Sequence, residues 1–319
     1  MRGVVRYGAD PVVVVLDSER AGESYEGLPI VATVEEALAH GPTTAIVGVA
    51  TAGGRFPPAW KELLRGCVEA GLDLENGLHE FLANDPELVT LAAENGVELR
   101  DLRKPPASLN VPTGENLEVP GRIVLTVGSD CAIGKMTMAL ELDREAQRRG
   151  IKSVFVPTGQ TGIAIAGWGI AVDAVVADFI AGATERLVVE GHARGGELLW
   201  VEGQGSLSHP AYSGVTLGLI HGAAPHLFVL CHQAGTTEIE GFPGHPLLPL
   251  PELVALHEAI SLPARKAKVA AIALNTRMLD EEAARQAIAD AEAETGLVAD
   301  DPVRFGAGRL LEAVLRACA

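Results

Sequence analysis

Residues 121–150 read Gly-Arg-Ile-Val-Leu-Thr-Val-Gly-Ser-Asp-Cys-Ala-Ile-Gly-Lys-Met-Thr-Met-Ala-Leu-Glu-Leu-Asp-Arg-Glu-Ala-Gln-Arg-Arg-Gly. A short β-type run, Ile123 to Val127, enters a loop bounded by Gly128 and Gly134. Lys135 follows, and strong helix formers then continue to Gly150. This is the strand–loop–helix context of a phosphate-binding loop, in which backbone N–H groups and a helix N-terminus converge on one anion. The predicted cradle is Gly128, Ser129, Asp130, Cys131, Ala132, Ile133, Gly134, Lys135, Met136 and Thr137, with Lys135 adding a mobile positive charge. Five residues separate the glycines, so Ser129 stands at the usual first-glycine position. The hydroxyl that usually follows the lysine is displaced by Met136 to Thr137.

Strands alternate with helical patterns on both sides of this stretch, which implies parallel sheets. Pro11–Asp17, Gly27–Val31 and Thr44–Val49 read as strands. Thr33 caps a short helix, and Trp60–Ala70 forms another with Leu63, Leu64, Cys67 and Val68 on one face. A strand or turn at 71–79, a helix from Asp85-Pro86 to Ala93 and a strand at Val97–Leu99 complete a Rossmann-like region. A glycine fingerprint is lacking after its first strand, where Leu16-Asp17-Ser18-Glu19 stands. Gly53-Gly54 and His79 are loop positions with a structural reading at least as good as a functional one.

Residues 105–120, with Pro105, Pro106, Pro112 and Pro120, read as a linker. The fold class expected is therefore α/β, with a Rossmann-like parallel-sheet domain at 1–104. A doubly wound domain of the P-loop NTPase type is expected at 121–319.

Within that second domain, each strand end carries polar residues. Lys152–Val156 leads to a flexible loop at 157–162, where Thr158 and Gln160 are candidate ligand contacts. Residues 173–189 show helical spacing of Val176, Ile180, Ala183 and Leu187, with Asp173 as a cap and Asp178 in reach of a metal or substrate. Gly196–Val201 delivers Glu202-Gly-Gln-Gly-Ser-Leu-Ser-His-Pro210. A carboxylate straight after an apolar strand is where Mg²⁺ or its water is held, so Glu202, Gln204 and His209 are candidates. Leu227–Cys231 ends at His232, and Ala267–Leu274 ends at Asn275, a candidate nucleotide contact. A last strand is expected at Pro302-Val303 and a last helix at 310–315.

The 319 residues are 48% hydrophobic, enough for two cores. The net charge of −17 argues against nucleic acid as a partner. The start fits no signal peptide and no run approaches membrane-span length, so a cytoplasmic location is expected. A homo-oligomer is also expected. The four cysteines lack metal spacing and read as reduced, mostly buried thiols. Cys131 is the exception, since a helix N-terminus lowers a thiol pKa.

The loop Gly128-Ser-Asp-Cys-Ala-Ile-Gly-Lys resembles that of dethiobiotin synthetase, as does Val201-Glu202-Gly203, over the second domain alone. A longer resemblance covers nearly the whole chain: Gly77-Leu-His79, Asp101-Leu-Arg-Lys-Pro-Pro106, Gly128 to Thr137 with Lys-Met-Thr, and Val201-Glu-Gly-Gln-Gly-Ser-Leu207. These resemble a bacterial and archaeal P-loop family that includes D-glutamate N-acetyltransferases. That resemblance implies acetyl transfer from acetyl-CoA to the amine of an acidic D-amino acid such as D-glutamate. Lys135, Asp178, Glu202 and His209 are the candidate catalytic residues, the last three as base. The alternative is an ATP-dependent ligase or kinase with Mg²⁺ on Thr137 and Glu202. A non-catalytic nucleotide-binding module fits less well, because it needs fewer polar strand-end loops.

Overall fold

The computed structural model describes residues 2–49 and 51–318. By compactness the chain divides into two units, residues 2–105 with 163–174 and residues 106–162 with 175–318.

The first unit holds six short strands: β1 (Val15–Leu16), β2 (Ser24–Tyr25), β3 (Leu28–Val31), β4 (Thr44–Ile46), β5 (Asp73–Asn76) and β6 (Leu99–Asp101). They form two three-stranded sheets, ordered β1-β3-β2 and β4-β5-β6. All pairs are parallel except β2–β3. That hairpin turns through Glu26 at φ 51° and Gly27 at φ 84°, the left-handed pair a tight two-residue turn demands. Leu64, Cys67 and Val68 of helix Trp60–Glu69 are buried with Leu74 of β5 and Leu88 of helix Pro86–Asn95. Thr33 caps helix Val34–Leu38 by accepting from the Glu36 N–H, as the sequence predicts.

The second unit carries one six-stranded sheet of β7 (Arg122–Gly128), β8 (Ser153–Val156), β9 (Leu198–Val201), β10 (Leu227–Gln233), β11 (Lys268–Asn275) and β12 (Val298–Asp300). The order is β12-β11-β10-β7-β9-β8 and every pair is parallel. Strand β7 is central, and the chain leaves it in opposite directions along the sheet. Ligands of open parallel sheets bind at such a reversal, outside the carboxyl ends. The core is full, with Trp200 and Phe228 wholly buried. The Trp200 indole donates to Ser153 Oγ at 2.9 Å, and Ser153 donates on to Asp143 at 2.6 Å, so the buried polar groups are paired.

Several elements differ from the sequence reading. The first strand is two residues, not seven. Its neighbours in the Val12–Leu16 run are only half-buried, which leaves less apolar burial to hold them. The expected loop at 157–162 gives way at Gln160 to helix Gln160–Ala166. Residues 173–189 are not one helix. Short 3-10 turns at Val172–Ala174 and Ala177–Phe179 precede helix Ile180–Ala193. Val176 has non-helical backbone, with ψ 136°, and is 67% exposed, so the apolar face begins only at Ile180. Asp173 pairs with Arg103 instead of capping. The last strand lies at Val298–Asp300, before Pro302 rather than after it.

The proline-containing stretch 106–120 is docked on the second unit. Glu185 accepts from the Thr113 N–H at 2.6 Å and the Gly114 N–H at 2.7 Å. Asn116 donates to Gly222 O at 2.7 Å, and Arg265 donates to the carbonyls of Asn116, Leu117 and Ala224. Among the described residues no helix is long and apolar enough to cross a membrane.

Two histidines make the second unit sensitive to acid. His226 Nδ1 accepts from the Ile123 N–H at 3.1 Å, and His257 is fully buried with Nδ1 against Leu253 O at 2.7 Å. Burial pushes each pKa down to about 4 from an ordinary 6.5. Below 6.5 the unfolded chain takes up these protons first. Stability is therefore full above pH 6.5 and falls as the pH drops toward 4. Urea denaturation across this range should show the decline. His226→Asn, whose amide oxygen still accepts from Ile123, should flatten it; an unchanged slope would count against the assignment.

Candidate active site: the loop after β7

Helix Lys135–Arg148 begins at Gly134, which has φ 109° and no side chain to cap the first turn. The leading N–H groups of an α-helix have no partner within the helix. Here they open toward the loop with the helix's positive end behind them. Ala132, at φ 53°, and Gly134 both take left-handed backbone, curling residues 129–134 around that point. A Cβ on Gly128 would lie 2.7 Å from Ile133 Cδ1 and 3.3 Å from Cys231 O, so a side chain there would have to displace Ile133.

Lys135 is 6% exposed, and its ammonium donates to Asp130 O at 2.6 Å. Among the described residues it has no carboxylate within ion-pair distance, and burial pushes its pKa down. A buried cation held by one carbonyl is a good partner for an incoming anion.

The loop is braced on every side. Asp130, itself buried, accepts from the Cys131 N–H at 2.7 Å and from the Glu240 N–H at 2.8 Å. Ser129 Oγ lies 2.9 Å from His232 Nδ1, and burial keeps His232 below its ordinary pKa. Ser206 donates to Ser129 O at 3.1 Å. Asn275 donates to Ile133 O at 3.0 Å.

Glu202, at the end of β9, is 3% exposed. Its Oε2 accepts from the Thr158 and Gly159 N–H groups at 2.9 and 3.1 Å, while Thr158 Oγ1 donates to Glu202 O at 2.7 Å. This clasp joins the ends of β8 and β9. Gly203 then passes so close to β7 that a Cβ would sit 1.7 Å from Thr126 O. Gln204 donates to Thr158 Oγ1 at 3.3 Å. Gln160 is the first residue of the helix that follows.

His209 is 3% exposed, with Nε2 3.9 Å from Asp130 Oδ1. It stacks on Tyr212 at 4.8 Å between ring centres and meets Phe242 edge-on at 5.0 Å. The Ala211 N–H donates to its Nδ1 at 3.1 Å, so the proton of the neutral ring sits on Nε2, facing Asp130. Asp130, Cys131 and His209 bring an oxygen, a sulfur and a nitrogen within 4.8 Å of one another. They do not fit a metal. The nitrogen facing the cluster carries the proton, so it has no lone pair to offer a metal.

Lys135, Glu202, His209, Thr158, Gln204 and Asn275 thus stand with the loop or in its braces. Thr158 is fully buried and spent on the clasp, and Asn275 is spent in part on the loop. Asp178 is not tied to this cluster: it is exposed in the turn Ala177–Phe179. Thr137 and Met136 are half-buried in the first helical turn. Cys131 corrects an expectation, because burial outweighs Lys135 and pushes its thiol up to about 11. Sequence reasoning passed over Glu240 and did not rank His232. Glu240 acts through its backbone, which no side-chain pattern reveals. In the first unit, Asp101 accepts from Asn76, Leu82 and Ala83 and so braces the loop after β5, while His79 is exposed.

With this geometry in hand, the family models match in two pieces: a DUF1611 Rossmann-like N-terminal domain over residues 17–105 and a DUF1611 P-loop domain over residues 110–311. The chain belongs to the DUF1611 family. It is 43% identical over 283 residues to a protein of Tritonibacter scottomollicae named D-glutamate N-acetyltransferase, covering 88% of this chain and 84% of that one. A Pseudoalteromonas protein of the same name is 36% identical over 274 residues, covering 85% and 81%. The crystal structure of a DUF1611 family protein from Anabaena variabilis superposes with a TM-score of 0.93 at 45% identity, covering 99% of this chain and 94% of that one.

The Gly203 contact is directly testable. Gly203→Ala forces β7 and β9 apart at the loop, and overpacking of this kind costs about 1–3 kcal/mol or more. Thermal denaturation should show a midpoint lower by several degrees. An unchanged midpoint would mean that the close approach is not needed.

Proposed function

We propose that this chain is an N-acetyltransferase that moves acetyl from acetyl-CoA to the amine of an acidic D-amino acid such as D-glutamate. The observation that carries the reading is similarity over 88% and 85% of the chain to two proteins named D-glutamate N-acetyltransferase. The loop geometry supports it. Coenzyme A carries a pyrophosphate, and the uncapped first turn with Lys135 offers N–H groups and one positive charge to it without any nucleotide hydrolysis.

In the reaction the amine nitrogen attacks the thioester carbonyl, the C–N bond forms and the C–S bond breaks. The amine's proton passes to a base, and the leaving thiolate is protonated. Glu202 suits the role of base best. Its carboxylate is fixed by Thr158 and Gly159 at the carboxyl edge of the sheet. His209 carries its proton on the nitrogen facing Asp130, so in this form that nitrogen does not accept the amine's proton. Asp178 lies outside the hydrogen-bonded cluster. N–H groups of the glycine-rich loops are suited to stabilising the tetrahedral oxyanion.

The test supplies D-glutamate with acetyl-CoA or with Mg-ATP and follows free thiol and ADP. Thiol release that depends on the amino acid is expected, and Lys135→Ala should lower it by at least about a hundredfold, because binding of the phosphates is what positions the distant thioester for attack. ADP release without thiol would favour a ligase or kinase and overturn the proposal.

A further inference from the structure

Strand β11 ends at Asn275, and the chain then makes a tight turn, Thr276-Arg277-Met278-Leu279. The Leu279 N–H donates to Thr276 O at 2.9 Å. Thr276 is fully buried, and both its N–H and its hydroxyl donate to Asp301, at 2.9 and 2.6 Å. Arg304 spans the turn from beneath, donating to Thr276 O at 2.9 Å and to Leu279 O at 2.7 Å. An aspartate, an arginine and a buried threonine therefore fix four residues.

The tip of this fixed turn is open. Met278 is 72% exposed, although it is apolar. Arg277 is exposed, and among the described residues its guanidinium makes no hydrogen bond or ion pair. The neighbouring acids are spent elsewhere. Asp280 accepts from the Ala283 N–H at 2.8 Å, and Glu281 pairs with Arg285 at 2.7 Å.

The turn is also tied to the phosphate loop. The Asn275 side chain donates to Ile133 O in the loop at 3.0 Å and accepts from the Arg277 N–H at 3.2 Å. Its amide nitrogen lies 3.8 Å from where a Gly134 Cβ would be. One side chain thus sets the distance between the anion cradle and the arginine.

We propose that Arg277 and Met278 form the recognition site for the adenosine 3′-phosphate end of coenzyme A, with Arg277 holding the 3′-phosphate and Met278 giving the base an apolar surface. This rests on the acetyl-CoA reading above. A ligand with its pyrophosphate on the helix N-terminus extends its nucleoside along the sheet's carboxyl edge, and the turn after β11 stands on that edge. A planar guanidinium makes paired charge-assisted hydrogen bonds to a phosphate. The site would separate coenzyme A from nucleotides that lack a 3′-phosphate.

Isothermal titration of the full chain with coenzyme A and with 3′-dephospho-coenzyme A tests the assignment without relying on turnover. The native protein should bind coenzyme A about ten- to a hundredfold more tightly, the range for a hydrogen bond to a charged group. Arg277→Gln should bind both ligands equally, at the native affinity for the dephospho form. Met278→Ser should weaken both alike. Retention of the preference in Arg277→Gln, or no preference in the native protein, would overturn the assignment while leaving the acetyl-CoA reading intact. Tight Mg-ATP binding with no binding of either coenzyme would remove both.

Discussion

A helix without a side-chain N-terminal cap and a buried lysine that has, among the described residues, no carboxylate within ion-pair distance set the terms for the second unit. The first turn of Lys135–Arg148 presents amide N–H groups that neither the helix nor Gly134 can satisfy. The ammonium beside them rests on one carbonyl, that of Asp130. Both features oppose compact folding unless an anion or water completes them. The surrounding elements hold that arrangement open. Ser206, Asn275 and the Glu240 N–H each secure a different residue of the loop; Ser206 and Glu240 follow β9 and β10, and Asn275 ends β11. The doubly wound order of the sheet makes this possible, because it brings all three segments to the edge where β7 ends.

Close backbone approach is the second requirement. Gly203 passes β7 where no side chain fits, and this places Glu202 between the ends of β8 and β9. The sequence Val-Glu-Gly therefore joins two physical demands: a carboxylate at the strand end and a residue without Cβ immediately after it. In a chain of net charge −17, the buried Lys135 and the exposed Arg277 put positive charge on the same rim.

Much of this was legible in the residues. The β7 run, the glycines and the helix formers after Lys135 all favour the same local structure, so the loop and its helix could be placed from sequence. Glu202 and Asn275 were found because strand ends can be read from the apolar runs before them. The break before Ile180 was not legible, since Val176, Ile180, Ala183 and Leu187 keep helical spacing although Val176 turns to solvent. The hairpin at Glu26-Gly27 was missed because glutamate is an unusual residue at a left-handed turn position. The thiol of Cys131 went the other way because a helix terminus is visible in sequence and burial is not. The roles of Glu240 and of the turn after β11 depend on backbone groups and on Arg304, which lies 27 positions beyond Arg277 and carries no motif.

The central claim is that the anion held by the loop is part of the acetyl donor. The most direct measurement compares N-acetyl-D-glutamate formation from acetyl-CoA and from S-acetylpantetheine, which has the same thioester and no phosphates. If the loop holds the donor's phosphates, kcat/KM with acetylpantetheine falls by at least about a hundredfold, and Lys135→Ala affects only the acetyl-CoA reaction. Equal kcat/KM for the two donors would contradict the account.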